Sequence, residues 1–165
     1  MPICHPFPPY LLPNSRVLVL GSFPSVRSRA EGFYYGHPSN RFWRLLAQIC
    51  QEELPGDIKS RKQLLARCHI ALWDVIESCE ITGSSDLSIR NARVNPIAET
   101  IRHFPIQAIL LNGSTAARLY NKQVHPKPEL PALPQPDREK ELVWLKGGGS
   151  PSAIHHPLPA AQAFR

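Results

Sequence analysis

The feature that most constrains this chain is the run Arg16-Val-Leu-Val-Leu-Gly21, an unbroken apolar segment that stops at a glycine. A strand with one face in water alternates apolar and polar residues, whereas an unbroken run belongs to a strand covered on both faces, as in a parallel sheet. Residues 69–74, 106–111 and 142–145 read the same way. Between these runs, residues 40–52 place Phe42, Leu45, Leu46 and Ile49 at helical spacing behind Ser39 as N-cap, and residues 60–68, 95–104 and 114–120 predict shorter helices. Strands separated by helices pair in parallel through right-handed crossovers. The expectation is therefore an α/β fold, a three-layer α/β/α arrangement around a central four-stranded parallel sheet. Ligands of such sheets bind outside the carboxyl ends of the strands. That directs attention to residues 21–25, to Asp74 and the residues just after it, and to residues 112–115 and 147–153.

At 165 residues the chain suits one domain, residues 1–165, with a single sizeable core. Its 18 prolines concentrate at two places, five in the first thirteen residues and five between Pro126 and Pro136. Proline fixes φ and removes a backbone donor, so residues 1–15 read as an extended N-terminal segment and residues 121–140 as a loop. Residues 147–165 read as a Gly/Pro-rich loop and tail. No run approaches the roughly 18 apolar residues of a membrane span. The N-terminal decapeptide has no Lys or Arg and is too rich in proline for an export signal, which places the protein in the cytoplasm with no membrane partner.

Nineteen Lys and Arg against thirteen Asp and Glu leave a charge of +6. The excess is local, since residues 16–44 hold Arg16, Arg27, Arg29, Arg41 and Arg44 against Glu31 alone. A polyanionic partner and a merely solubilising surface both fit that charge. Cys4, Cys50, Cys68 and Cys79 form no CxxC pair, so the expectation is four buried free thiols and no metal site.

The segment after the first strand carries the chemistry: Gly21-Ser-Phe-Pro-Ser25, then Gly32-Phe-Tyr-Tyr-Gly-His-Pro-Ser-Asn-Arg-Phe-Trp43. It is not a phosphate loop, because GxxxxGK[ST] is absent. A strand-end glycine lets the backbone approach a ligand, and aromatic rings beside amides and hydroxyls suit a flat heteroaromatic molecule. Phe42 and Trp43 sit on the apolar helical face and read as core.

These two segments resemble the first motif region of the uracil-DNA glycosylase superfamily. The stretch His37-Pro-Ser-Asn-Arg-Phe-Trp43 is similar to mismatch-specific uracil glycosylases, and the best likeness is to the hypoxanthine-DNA glycosylase branch, which also resembles this chain at Leu72-Trp-Asp-Val-Ile-Glu-Ser-Cys79, Gly83-Ser-Ser-Asp-Leu-Ser-Ile-Arg90 and Leu111-Asn-Gly113. The resemblance implies a four-stranded parallel sheet and a monofunctional, cofactor-free enzyme that flips a deaminated base out of DNA and hydrolyses its N-glycosidic bond; a monomer is expected. Such chemistry needs a water positioned beneath the sugar and stabilisation of negative charge on the departing base.

The resemblance also assigns residues. Mismatch-specific enzymes carry a water-positioning Asn where this chain has Phe23, a side chain unable to hold water; the hypoxanthine branch gives that role to the Asn of His-Pro-x-Asn, here Asn40. A helix-capping role for Asn40 is the alternative. Tyr35 matches the ring that stacks on the flipped base. The base pocket would comprise Gly21, Ser22, Phe23, Pro24, Ser25, Tyr35, His37 and Asn112, with backbone N–H groups of Ser22, Phe23 and Ser25 facing a purine O6 or pyrimidine O2. Arg41, Lys146, Ser150, Pro151 and Ser152 would contact DNA. The late loop departs from the family's Pro-Ser-rich pattern, since Lys146 is followed by three glycines before Ser150-Pro-Ser-Ala153. Hypoxanthine is the expected base. Uracil or mismatch activity, a non-catalytic nucleic-acid-binding domain of the same fold, and hydrolysis of free nucleosides are the competing readings.

Overall fold

The structure, a computed structural model, describes residues 1–131 and the strand Ala153–Ile154. Strand β1 spans Ile3–Cys4 and β2 spans Val17–Gly21. Helices α1 (Val26–Glu31), α2 (Phe42–Cys50) and α3 (Ile58–Cys68) follow before β3 (Ile70–Asp74) and β4 (Ile76–Glu80). A short 3-10 turn, Asp86–Ser88, precedes β5 (Arg90–Val94), α4 (Ile97–Ile101), β6 (Ala108–Leu111), α5 (Ser114–Gln123) and β7 (Ala153–Ile154).

The main sheet has the order β3-β2-β6-β7. The apolar run 17–20 forms its central strand, paired in parallel with β3 on one side and β6 on the other. Every residue of these three strands is buried, as unbroken apolar runs demand. The fourth member differs from expectation. β7 runs antiparallel to β6, so the sheet is three parallel strands with an antiparallel edge among the described residues. β7 is a two-residue strand in a stretch expected as loop and tail, where no apolar run announces it. The strand expected at 142–145 lies outside the described residues.

A second, antiparallel sheet, ordered β1-β4-β5, has no counterpart among the strands expected from sequence. β5 (Arg-Asn-Ala-Arg-Val) is mostly exposed and lacks the alternation that announces a strand. β4 begins one residue after β3, with the Val75 N–H donating to the Gly21 carbonyl and the Ile76 N–H to that of Ser22. Residues 1–15 are extended, as their prolines require, and are packed onto the domain. Tyr10 and Leu72 exchange backbone hydrogen bonds, Tyr34 Oη donates to the Pro8 carbonyl at 3.0 Å, and the Phe7 and Tyr34 rings meet edge to face at 4.8 Å. Pairing β1 with β4 brings His5 to the end of β3.

Local chemistry explains the helix ends. Asp57 caps α3 in a capping box, its Oδ1 accepting the Ser60 N–H at 2.7 Å while Ser60 Oγ accepts the Asp57 N–H at 3.1 Å. Ser25 caps α1, a helix the periodicity did not reveal. The expected cap of α2 is corrected: Ser39 Oγ lies 2.7 Å from His37 Nδ1, and the Phe42 N–H donates instead to Asn40 Oδ1 at 2.9 Å. The expectation of four free thiols is also corrected. Cys50 and Cys68, the last residues of α2 and α3, form a disulfide with Cα atoms 6.4 Å apart, whereas Cys4 and Cys79 are free. Eighteen residues of separation cannot reveal that two helix ends meet. Among the described residues no helix is long and apolar enough to cross a membrane.

Candidate functional site

A cavity of about 140 Å³ opens where β2, β3 and β6 end. Its floor is the turn Gly21, Ser22, Phe23, Pro24 and Ser25. Gly21 is required there, because a Cβ on it would stand 2.6 Å from Asp74 Oδ1 and 3.3 Å from Tyr35 Oη. Ser22 Oγ lies 2.8 Å from both carboxylate oxygens of Asp86, tying the 3-10 turn to the floor. Phe23 is buried, with the His5 ring edge-on at 5.9 Å and the Arg29 guanidinium 5.8 Å from its centroid. Ser25 lines the cavity and starts α1.

Tyr35 enters with φ at +52°, uncommon for a bulky residue and the kind of backbone that surrounding structure must hold in place. Here Trp43 Nε1 donates to the Tyr35 carbonyl at 3.1 Å. The Tyr35 ring stacks on Phe42 at 4.1 Å, and its Oη accepts from Asn112 Nδ2 at 3.1 Å. Burial holds the Tyr35 phenol well above its ordinary range, the negative charge of Asp74 adds to this, and the Asn112 bond opposes it. Its O–H is therefore a neutral donor. Trp43 is core, as expected, whereas Phe42 is half-buried and backs the Tyr35 ring. His37 and Asn40 line the cavity mouth. Asn40 precedes the N-cap residue Arg41, and its amide oxygen receives the N–H of Phe42, the first residue of α2, which fixes the amide plane and leaves the second lone pair open. Arg41, next in the chain, is exposed and makes no ion pair among the described residues.

Three further residues line the cavity: Ser28, Tyr34 and Asp74. Ser28 Oγ receives the Gly36 N–H and Tyr34 belongs to the aromatic core, so both shape the wall. Asp74 is different. It is buried, its Oδ2 lies 2.7 Å from His5 Nε2, and Asn95 Nδ2 holds its backbone carbonyl at 2.8 Å. Burial pushes its carboxyl up from the ordinary value, and the bond and charge of His5 pull against that. The signal for Asp74 was present in the sequence, since an acid ending the run Ile-Ala-Leu-Trp must be buried with a partner. His5 carried no such signal. It lies sixty-nine residues away in a proline-rich segment.

Every expected pocket residue, and Asn40, thus lines one cavity. Lys146, Ser150, Pro151 and Ser152 lie outside the described residues. No group of three His, Cys, Asp or Glu side chains among the described residues is arranged to hold a metal. A larger groove of about 990 Å³, between α4 and residues 124–130, shares no residue with this cavity. The smaller cavity is the better candidate because polar groups converge in it at the strand ends.

Comparison with known proteins agrees in sequence and in fold. The uracil DNA glycosylase superfamily model matches residues 8–163. A hypoxanthine DNA glycosylase of Methanosarcina barkeri is 37% identical over 65% of this chain and 69% of its own length. One of Methanosarcina acetivorans is 36% identical over 67% and 71%. A solution NMR structure of a Methanosarcina acetivorans protein, described there as a candidate uracil DNA glycosylase, superposes with a TM-score of 0.66 at 30% identity, covering 82% of this chain and 84% of that one. With the match running through nearly the whole chain and the fold shared, the chain belongs to the uracil DNA glycosylase superfamily.

Proposed function

We propose that this protein is a monofunctional DNA glycosylase that hydrolyses the N-glycosidic bond of a deaminated base, hypoxanthine foremost, extruded from DNA. The observation that carries the reading is the convergence of the 21–25 turn, Tyr35, Asn40 and Asn112 on one small cavity, in a chain whose relatives are hypoxanthine DNA glycosylases. A cavity of about 140 Å³ falls below the usual range for drug-sized ligands, roughly 300 to 1,000 Å³, and suits a single base.

As the bond to the sugar stretches, positive charge develops on the sugar and negative charge on the base. Asn40 sits at the mouth, where the sugar of an extruded nucleotide would lie. Its amide oxygen, oriented by the Phe42 N–H, accepts a hydrogen bond from the attacking water through its remaining lone pair. Backbone N–H groups of Ser22, Phe23 and Ser25 face the carbonyl oxygen on which the departing charge gathers. Donors pre-aimed at developing charge contribute roughly 10² to 10³ in rate each. Arg41 provides a cation for the DNA backbone beside the mouth.

The test is excision from oligonucleotides carrying one inosine, uracil or xanthine, followed by alkaline cleavage of the abasic product. Strand breaks fastest at inosine are expected. Lesion binding without breaks would make the protein a binding module, and hydrolysis of free inosine in preference to DNA would make it a nucleoside hydrolase.

A further inference from the structure

Leu87 stands in the middle of the 3-10 turn Asp86–Ser88 and is 88% exposed, more than any other large apolar residue except Met1 among the described residues. A scattered exposed leucine is ordinary on a protein surface. This one differs because everything around it is fixed. Ser22 Oγ ties Asp86 to the cavity floor at 2.8 Å. From the α1 side, the Val26 N–H donates to Ser84 Oγ at 2.9 Å and Arg29 Nη2 to the Gly83 carbonyl at 2.9 Å. On the other flank, Ser88 Oγ accepts the Thr82 N–H at 2.9 Å and donates to the Ser85 carbonyl at 2.7 Å, while Arg90 Nη1 donates to the carbonyls of Leu87 at 3.0 Å and Ile89 at 2.8 Å. The polar groups of the turn face inward and hold its shape, and an apolar side chain is what it shows to solvent. Turns that meet only water favour polar residues there.

Ser22 lines the base cavity, so the turn forms part of the rim beside it. Arg29 and Arg90 flank the turn and enter no ion pair among the described residues, which leaves their charge for a polyanion. The exposed residues that precede Leu87 in the turn, Thr82, Gly83, Ser84 and Ser85, are polar or lack a side chain. Within the turn Leu87 is therefore a single apolar tip between two cations, whereas protein partners bury contiguous apolar patches. Duplex DNA that has lost one nucleotide from its stack has the complementary form. Its gap is bounded above and below by apolar base faces and at the sides by phosphates, and apolar side chains enter between base steps in this way.

We infer that Leu87 is a wedge that enters the base stack of duplex DNA and fills the gap left by the extruded nucleotide, with Arg29 and Arg90 on the flanking phosphates. The inference rests on the glycosylase function proposed for the neighbouring cavity and adds to it the group that keeps the base out of the helix. The wedge acts on extrusion and not on the bond that breaks. With the gap filled, a returning nucleotide must first expel an apolar side chain, so a larger fraction of bound lesions is poised for hydrolysis. The benefit exists only where extrusion leaves a gap.

The test is single-turnover release of hypoxanthine from two duplexes. In one the inosine faces a pyrimidine. In the other it is a single-nucleotide bulge with nothing opposite, so its neighbours close on each other when it leaves and no gap remains. Because Leu87 is exposed, Leu87→Ala opens no hole in the core and should melt with wild-type protein. It is expected to release the paired base more slowly than wild-type protein, on the order of 10-fold to 10²-fold, and the bulged base at the wild-type rate. Leu87→Phe keeps an apolar wedge and should restore most of the paired rate. Binding gives a readout without chemistry: 2-aminopurine beside the inosine of the paired duplex brightens when unstacked, and Leu87→Ala at saturation should lose most of that brightening. Wild-type release of the paired base by Leu87→Ala, equal slowing on both duplexes, or undiminished brightening would each overturn the inference and leave the glycosylase reading intact. Release of no base from either duplex by wild-type protein sinks both together. Wild-type protein that self-associates, with Leu87→Ala monomeric and fully active on the paired duplex, would assign the tip to a second copy of the chain instead.

Discussion

Gly21 and Asp74 are register partners at the carboxyl ends of two parallel strands, and the carboxylate of Asp74 fills the space that a side chain on Gly21 would take. A hydrogen at that position lets a buried acid lean over the cavity floor while its other oxygen stays on His5. The sheet register thus builds a polar site inside an apolar fold.

Gly21→Ala is accordingly expected to displace Asp74 and to lower excision by at least about 10²-fold, because groups in a preorganised site tolerate little displacement. The overpacking should also cost about 1 to 3 kcal/mol of stability. Denaturant unfolding and single-turnover excision of the same preparation check both parts, and a variant of wild-type activity would show that the Asp74 position is immaterial.

Asp57 lies far from the cavity, at the start of α3, and its prediction concerns stability alone. Its carboxyl is held below the ordinary value by the hydrogen bonds of Ser60. A depressed carboxyl stabilises the folded state above the unfolded-state pKa, and that stabilisation is lost as pH falls through the folded value. Asp57→Ala should therefore lower the melting temperature by about 2 to 4 °C at neutral pH. The difference should shrink in acid. A constant difference between pH 7 and pH 3, read by calorimetry, would refute the capping contribution.

The apolar runs 17–20 and 108–111 are legible in the sequence because strands covered on both faces need no alternation, and α2 and α3 because their buried residues recur at helical spacing. The antiparallel sheet was not legible. Arg90 to Val94 is a strand by virtue of hydrogen bonds to β4 and has almost no buried face to show for it. The disulfide, the direction of β7 and the His5 contact all depend on where distant segments meet, which no local pattern encodes. For the site, one contiguous stretch supplied most of the cavity, so residues 21–40 could be found from motif and composition. The acid that completes it comes from the neighbouring strand and its partner from the far edge.

Arg41 tests the DNA-facing side of the cavity. As an exposed cation beside Asn40, it is expected to neutralise one phosphate. Arg41→Ala should weaken binding to any DNA sequence alike and reduce the slope of log affinity against log salt by about 0.9 on duplex DNA. The choice of base should not change. An unaltered slope in a salt titration would remove Arg41 from the interface.

Asn40 has two duties, accepting the first N–H of α2 and, on the proposed mechanism, orienting water. Asn40→Asp separates them, because a carboxylate accepts that N–H as well as an amide does while altering the charge beneath the sugar. Asn40→Ala should lose both, with excision down roughly 10² to 10³-fold and a small loss of stability. If Asn40→Ala excises normally in single turnover, the water is positioned by another group.

Tyr35 likewise carries two separable properties, a ring and a hydroxyl. The ring is backed by Phe42 at 4.1 Å, which leaves its other face as the one that a base would stack on, and stacking contributes roughly 1 to 3 kcal/mol per base. The hydroxyl accepts from the Asn112 amide and so positions that side chain at the cavity wall. Tyr35→Phe keeps the ring and removes the hydroxyl, leaving the Asn112 amide with an unanswered N–H, so it should preserve most lesion binding while slowing hypoxanthine release by about 10-fold. Tyr35→Ala should lose both binding and release. Because burial keeps this phenol neutral well beyond its ordinary range, the Tyr35 hydroxyl should contribute no alkaline inflection to the rate profile. Lesion binding by gel shift and release by single-turnover kinetics distinguish the cases: equal losses of binding in both variants would place the hydroxyl rather than the ring in contact with the base, and no loss in either would put Tyr35 outside the base pocket.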